Sequence, residues 1–191
     1  MSKESPLTDV KTLRARARLH IDDGSVTAGY TADREAVLKH LNASLATELV
    51  CVLRYRRHHF MARGIQSQSV AQEFLQHSIE EQGHADQIAE RIVQLGGAPD
   101  FAPDGLSLRS HAEYVEGDSL VSMIREDLVA ERIAIDSYRE IIQYLGDRDS
   151  TTRRMLEDIL AVEEQHADEL ADLLVAFPEA AGETRRSAGA R

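Results

Sequence analysis

The sequence predicts an all-α protein: a four-helix bundle in which one long crossover joins the second and third helices. Three observations carry this expectation. Four stretches place apolar residues at alternating steps of three and four, the spacing of a helix face turned toward a core. Short polar loops join the first stretch to the second and the third to the fourth. Between these pairs, residues 96–117 hold a long run of loop formers: Gly96, Gly97, Pro99, Pro103, Gly105 and Gly117. At 191 residues, with 42% of them hydrophobic, the chain suits one well-packed helical domain rather than two.

Residues 1–31 read as an N-terminal arm. Thr8 is placed to cap a short helix running to Leu19, with Gly24 beyond its end. Lys3, Lys11, Arg14, Arg16 and Arg18 make the arm locally basic; a solvated arm packed on a neighbour is favoured over a DNA-gripping tail. The bundle itself is expected over residues 32–177. Thr31 opens its first helix, about 32–62, which Gly64 stops, and the stripe reads Leu38, Leu41, Leu45, Glu48, Val52, Tyr55. The second helix spans about 68–95, with Phe74, His77, Glu81, His84, Ile88 and Ile92 in phase, and Gly96-Gly97-Ala98-Pro99 ends it. A helix of this size is about 42 Å long, and the following link can extend to about 70 Å, so it can cross the whole bundle. Asp118 or Ser119 caps the third helix, about 119–145, with the stripe Leu120, Ile124, Leu128, Glu131, Ile135, Tyr138, Ile142, Leu145. The fourth, about 150–176, carries Leu156, Ile159, Glu163, His166, Leu170 and Leu173 and stops at Pro178. Residues 178–191 are small and polar, so a disordered tail and no fifth helix are expected.

Each stripe contains a glutamate. A carboxylate at a core position costs several kcal/mol unless it is paired or metal-bound. Two of the four glutamates open the pattern Glu-x-x-His, Glu81 to His84 and Glu163 to His166, which aims a carboxylate and an imidazole at one point. The halves of the chain repeat. The separation from the lone core glutamate to the Glu-x-x-His matches within one residue, and Tyr55 and Tyr138 each follow their lone glutamate by seven residues. Four mutually close carboxylates in an apolar seam repel one another and are driven to take up protons. Two divalent cations neutralise them, and carboxylate with imidazole suits Fe(II) or Mn(II). This is the ligand set of carboxylate-bridged di-iron and di-manganese bundles. Glu81 and Glu163 are then the bridging carboxylates, Glu48 and Glu131 the terminal ones, and His84 and His166 give one nitrogen to each metal. Asp127, one turn before Glu131, is the candidate acceptor for the second N–H of one of these rings, with a solvated face acid as the alternative.

The bulk properties narrow the function. A net charge of −11 argues against a dedicated nucleic-acid binder and fits a cation-attracting surface or cavity. The lone Cys51 makes no intramolecular disulfide, excludes a four-cysteine metal module within the chain, and reads as a small core residue. The start MSKESPLTDVKTLR lacks an apolar signal core and no membrane span is expected, so a cytoplasmic location follows. His77 reads as a packed or solvated histidine, with an accessory iron ligand as the alternative. His58 and His59, among Arg54, Arg56 and Arg57, read as a polar subunit-contact face.

The stretches LNASLATELVCVLRY, HSIEEQGHADQIAERIVQLGGAP, DLVAERIAIDSYREII and ILAVEEQHADELADLL together resemble a bacterioferritin of the ferritin superfamily. That resemblance implies a hollow homo-oligomeric shell with an intrasubunit ferroxidase centre, which oxidises Fe(II) with O2 or H2O2 and collects ferric mineral inside. Carried over position by position, the catalytic and metal-binding residues are Glu48, Glu81, His84, Glu131, Glu163 and His166, with Tyr55 matching a family tyrosine near the centre. The family's haem-binding methionine directly follows the second-helix ligand glutamate; Gln82 stands there, which argues against haem. The absent fifth helix and the arm resemble the twelve-subunit, DNA-protecting starvation ferritins, and a 12-mer is favoured over a 24-mer. Two further readings stay open: a di-metal enzyme such as a manganese catalase or small oxidase, and a DNA-protecting nucleoid protein.

Overall fold

The computed structural model describes residues 7–62 and 67–177. Among them the helices are α1 (Val10–Arg16), α2 (Arg34–Met61), α3 (Gln68–Gln94), α4 (Leu106–Arg109), α5 (Leu120–Leu145) and α6 (Ser150–Ala176). The described residues form no strand. Helices α2, α3, α5 and α6 make the bundle. The expected Gly64 stop, the Pro178 stop, the tail 178–191 and the question of a fifth helix there lie outside the described residues.

The helix starts follow the carboxylates rather than the threonines. Asp9, not Thr8, caps α1 by accepting a 3.0 Å bond from the Thr12 N–H, and Asp33, not Thr31, caps α2 through Ala36. A carboxylate satisfies an orphan N–H and also sits favourably at the positive end of the helix dipole. Asp149 caps α6 in the same way, while α5 is capped by the Ser119 hydroxyl. At the end of α3, Gly96 adopts φ 75° and donates its N–H to the Val93 carbonyl. A Cβ on the next residue, Gly97, would lie 2.5 Å from a Leu38 methyl, so α2 and the turn approach closely there.

Contacts between helices fix their directions. Along α2 the numbering rises from Glu48 to Arg54 while its partners on α5 fall from Tyr138 to Asp127, so these helices are antiparallel. Ser78 with Val52 and Ala71 with His59 make α2 and α3 antiparallel, and His77 with Glu169 and Arg91 with Thr152 do the same for α3 and α6. Helices α3 and α5 therefore run the same way, and the link between them has to return along the bundle. It runs beside α2. The Asn42 amide oxygen accepts from the Asp100 N–H at 2.8 Å, Thr47 Oγ1 from the His111 N–H at 2.9 Å, and Arg54 donates to the Glu113 carbonyl at 2.8 Å.

That link changes what α2 buries. The stripe residues Leu41, Leu45, Glu48 and Tyr55 are in the core, but so are Ser44 and also Thr47, Arg54 and His58, which contact the crossover. The expected polar contact face is thus corrected: Arg54 and His58 are buried and face Asp127, because a covered helix hides residues that its own periodicity leaves outside. The other stripes hold, with half-buried residues at Leu38, Val52, Leu120, Leu128, Ile142 and Leu173. Val37 takes the core position expected of Leu38. By length and composition α2 has a window apolar enough to cross a membrane, but half of that window is buried within the bundle and the helix carries Glu48.

Two apolar clusters fill the bundle. One gathers Leu41, Leu45, Ile88, Ile92 and Leu156; the other gathers Tyr55, Phe74, Ile124 and Leu170. A buried ionic knot secures each half. In one, Asp127 accepts from Arg54 Nε at 2.8 Å and lies 2.8 Å from His58 Nδ1. In the other, Asp149 accepts from Arg91 at 3.0 Å and from Tyr30 Oη at 3.0 Å, which ties the arm to the start of α6. Removing one partner from such a knot strands the remaining charge. Asp127→Ala is expected to lower stability by about 3–5 kcal/mol, read from denaturant midpoints at a fixed protein concentration; a loss under about 1 kcal/mol would show that the knot is solvated.

Candidate metal centre

The two apolar clusters are separated by a polar layer, and all six sequence-predicted site residues meet in it. Glu48 comes from α2, Glu81 and His84 from α3, Glu131 from α5, Glu163 and His166 from α6, and none is more than 5% exposed. The three-residue spacing puts each Glu-x-x-His on one face of its helix, one turn apart. His84 Nδ1 lies 2.9 Å from Glu163 Oε1, 3.4 Å from Glu81 Oε2 and 3.5 Å from Glu48 Oε2. His166 Nδ1 lies 3.3 Å from Glu81 Oε1 and 3.9 Å from Glu163 Oε2.

These atoms form two overlapping donor groups. Glu48, Glu81, His84 and Glu163 make one; Glu81, Glu131, Glu163 and His166 make the other, with one donor atom from each residue within 4.8 Å of the rest. Glu81 and Glu163 belong to both. The carboxylates are also left unsatisfied. Glu48 Oε2, Glu81 Oε1, Glu131 Oε2, both oxygens of Glu163 and His166 Nδ1 are buried with no hydrogen-bond partner. Buried polar atoms ordinarily find partners, so this concentration of orphaned donor atoms in one layer fits a pair of divalent cations.

The surrounding residues hold the ligand atoms in place. Tyr55 Oη donates to Glu131 and Tyr138 Oη donates to Glu48, so the tyrosines that repeat in the sequence anchor the two lone glutamates, each across to the opposite half of the chain. Each phenol is pushed well above its ordinary pKa by burial and by its carboxylate, and remains a donor. His166 Nε2 lies 2.8 Å from Glu80 Oε2, which fixes that ring with Nδ1 toward the centre. Asp127, read as either a candidate acceptor for a ligand histidine or a solvated face acid, is instead buried and committed to Arg54 and His58. Glu80 carried no periodic signal, because its partner is chosen by the packing of α3 on α6. Its only trace in the sequence is that it directly precedes a core glutamate. His77 is packed, with Nδ1 3.2 Å from Tyr55 Oη, and Cys51 is buried as expected.

Electrostatics follow from the crowding. Burial, then the neighbouring Glu81, pushes Glu48 well above the usual carboxylate range, and the same causes raise Glu131 and Glu163. Burial also opposes ionisation of Glu81, but the close approach of Glu48, His166 and His84 outweighs it and holds this carboxyl low. Burial works against the charged form of His84, yet Glu48 and Glu81 raise it to about 10; His166, with Glu81 as the main opposing influence, rises to about 9. Without cations the layer holds protons in their place.

With this geometry in view, comparison with known proteins is informative. The ferritin-like domain family matches residues 38–180, a span that contains all six residues. A nutrient stress-induced DNA-binding protein of Nostoc sp. is 34% identical over 80% of this chain and 80% of its own. A bacterioferritin of Mycobacterium leprae is 33% identical over 70% of this chain and 80% of its own. Among solved structures, the dodecameric thioferritin of Bacteroides fragilis, a bacterioferritin-related protein, superposes with a TM-score of 0.73 at 31% identity, covering 76% of this chain and 88% of that one. Dps from Thermosynechococcus elongatus, at 21% identity and a TM-score of 0.70, shares the fold. The chain belongs to the ferritin-like domain family. Bacterioferritins and Dps-like proteins are among its relatives.

Proton occupancy gives a direct test. A cation binding at Nδ1 must displace the protons that His84 and His166 hold up to about pH 10 and about pH 9. Affinity therefore rises with pH below those values and protons are released on binding. Calorimetric Co(II) titration in buffers of different ionisation enthalpy is expected to show net proton release and an affinity at least about tenfold higher at about pH 8 than at about pH 7. PH-independent affinity would contradict the assignment of protons to the centre.

Proposed function

We propose that this protein is a ferroxidase and iron store, in which Fe(II) is the substrate of an intrasubunit dinuclear centre. The observation that carries this reading is the sharing of Glu81 and Glu163 between two donor groups, each with its own histidine and its own lone glutamate. Such an arrangement binds two hard divalent cations side by side at about 3.5–4 Å. Glu48 and His84 belong to one ion, Glu131 and His166 to the other, and the shared carboxylates span both. Each Fe(II) gives up one electron. The pair together reduces O2 to H2O2, or H2O2 to water, with two protons taken up in either case.

The chain's own part is to collect and orient. Four carboxylates against two cations make a neutral site, so the ions enter as the protons leave. Tyr55 and Tyr138 fix the terminal glutamates by donating to one oxygen of each. The product Fe(III) is stored as mineral within a homo-oligomeric shell, for which a dodecamer is the favoured form; the dodecameric state of the Bacteroides fragilis relative supports it. No haem is assigned, since Gln82 stands at the position of the family's methionine. A DNA-binding role is the second reading. The Nostoc relative's name and the exposed Arg14, Arg16 and Arg18 of the arm favour it, and the net charge of −11 opposes it.

Glu131→Ala is expected to slow aerobic Fe(II) oxidation by at least about 100-fold in stopped-flow absorbance while the assembled form still elutes unchanged. Even outer-shell partners are worth about 10–100-fold at metal sites, and Glu131 is assigned to the inner shell. An unimpaired rate would remove the centre from the reaction. Repeated aerobic Fe(II) additions to the wild type, followed by iron counting in the assembled peak, separate storage from a simple di-metal enzyme. Tens of irons per chain support storage; saturation near two supports an enzyme such as a manganese catalase or small oxidase.

A further inference from the structure

One turn along α3 and α6 from the paired centre, Glu73, His77 and Glu169 converge. His77 Nε2 lies 3.0 Å from Glu169 Oε2 and 3.6 Å from Glu73 Oε1, and one donor atom from each residue falls within 4.8 Å of the others. The imidazole is 1% exposed, while the side chains of Glu73 and Glu169 are 39% and 36% exposed. This cluster thus has a buried nitrogen at its base and two carboxylates at a solvent-facing rim.

The ring's two nitrogens face different surroundings. Nδ1 lies 3.2 Å from Tyr55 Oη, inside the bundle, while Nε2 faces the two carboxylates. Two carboxylates brought this close repel one another unless a positive charge lies between them. Glu169 is oriented for the role: its Oε1 accepts from the Gln165 amide at 2.7 Å, leaving Oε2 turned to His77. The His77 ring also stacks on His166, with centroids 4.0 Å apart and an interplanar angle of 19°, so its plane is fixed by packing.

We propose that Glu73, His77 and Glu169 bind a third divalent transition-metal cation, outside the paired centre and on its solvent side. One imidazole and two carboxylates suit Zn(II), Fe(II) or Mn(II), with water completing the coordination from the exposed rim. The site shares no residue with the groups built on Glu81 and Glu163, although His77 also lies within 4.8 Å donor distance of Glu131 and His166. It is coupled to them mechanically through the hydrogen bonds from His77 to Tyr55 and from Tyr55 to Glu131.

The test is anomalous diffraction at the zinc edge from crystals of the assembled full-length protein soaked in Zn(II). The expected result is density about 2.0–2.1 Å from His77 Nε2 in addition to any density in the centre. In the double variant Glu73→Gln/Glu169→Gln this peak alone disappears, and Co(II) bound per chain in solution falls by about one. Both acids are partly exposed, so the variant keeps the fold. Absence of density beside His77 in the wild type, whatever the centre shows, overturns the proposal, as does a peak that survives the double substitution. Density at His77 with an empty centre upholds this site and counts against the dinuclear reading instead.

Discussion

The mutual repulsion of four carboxylates in an apolar layer is the constraint on which the rest of the structure depends. Glu48, Glu81, Glu131 and Glu163 are each about 1% exposed and come from four different helices. In water they would separate. Here the helices that carry them are pressed together by an apolar cluster above and another below, and buried ionic knots at Asp127 and Asp149 hold each half. The bundle keeps in place a layer that opposes its own packing. Protons on the raised glutamates and on His84 and His166 relieve that opposition in the absence of metal. In the proposed centre cations do so more completely, with protons exchanged for cations as metal is taken up.

The duplicated character of the chain follows from the same requirement. The proposed pair of ions calls for two equivalent sets of ligands, and each half supplies a lone glutamate, a Glu-x-x-His and a tyrosine. The tyrosines show how the halves interlock. Tyr55 of the first half anchors Glu131 of the second, and Tyr138 of the second anchors Glu48 of the first. Neither half therefore anchors its own lone glutamate. The crossover beside α2 makes the pseudo-symmetric pairing possible, because it reverses the direction of the second hairpin relative to the first.

Much of this was legible in the sequence because a helix face is periodic. The stripes placed Glu48, Glu81, Glu131 and Glu163 in the core, and a three-residue step put His84 and His166 beside two of them. What escaped was set by relations between helices. Arg54 and His58 looked like part of a polar face, since nothing in the periodicity of α2 shows that residues 98–116 lie over it. Asp127 one turn from Glu131 suggested a ligand's hydrogen-bond partner, but the rotation of α5 turns it to Arg54 instead. Glu80 supports His166 across the α3 and α6 interface, a contact that depends on helix register. Val37 displaced Leu38 because adjacent residues on a helix differ by about 100° in direction, enough to exchange core for rim.

Mössbauer spectroscopy of the protein loaded anaerobically with two Mössbauer-active Fe(II) ions per chain and then exposed to O2 tests the central claim most directly. Two ions held by shared Glu81 and Glu163 carboxylates are close enough to couple, so the oxidised sample is predicted to show paired, antiferromagnetically coupled ferric ions before mineral accumulates. In Glu81→Ala and Glu163→Ala this signal is lost. A wild-type spectrum of magnetically isolated ferric ions would contradict a dinuclear centre and leave the buried glutamates without the role assigned to them.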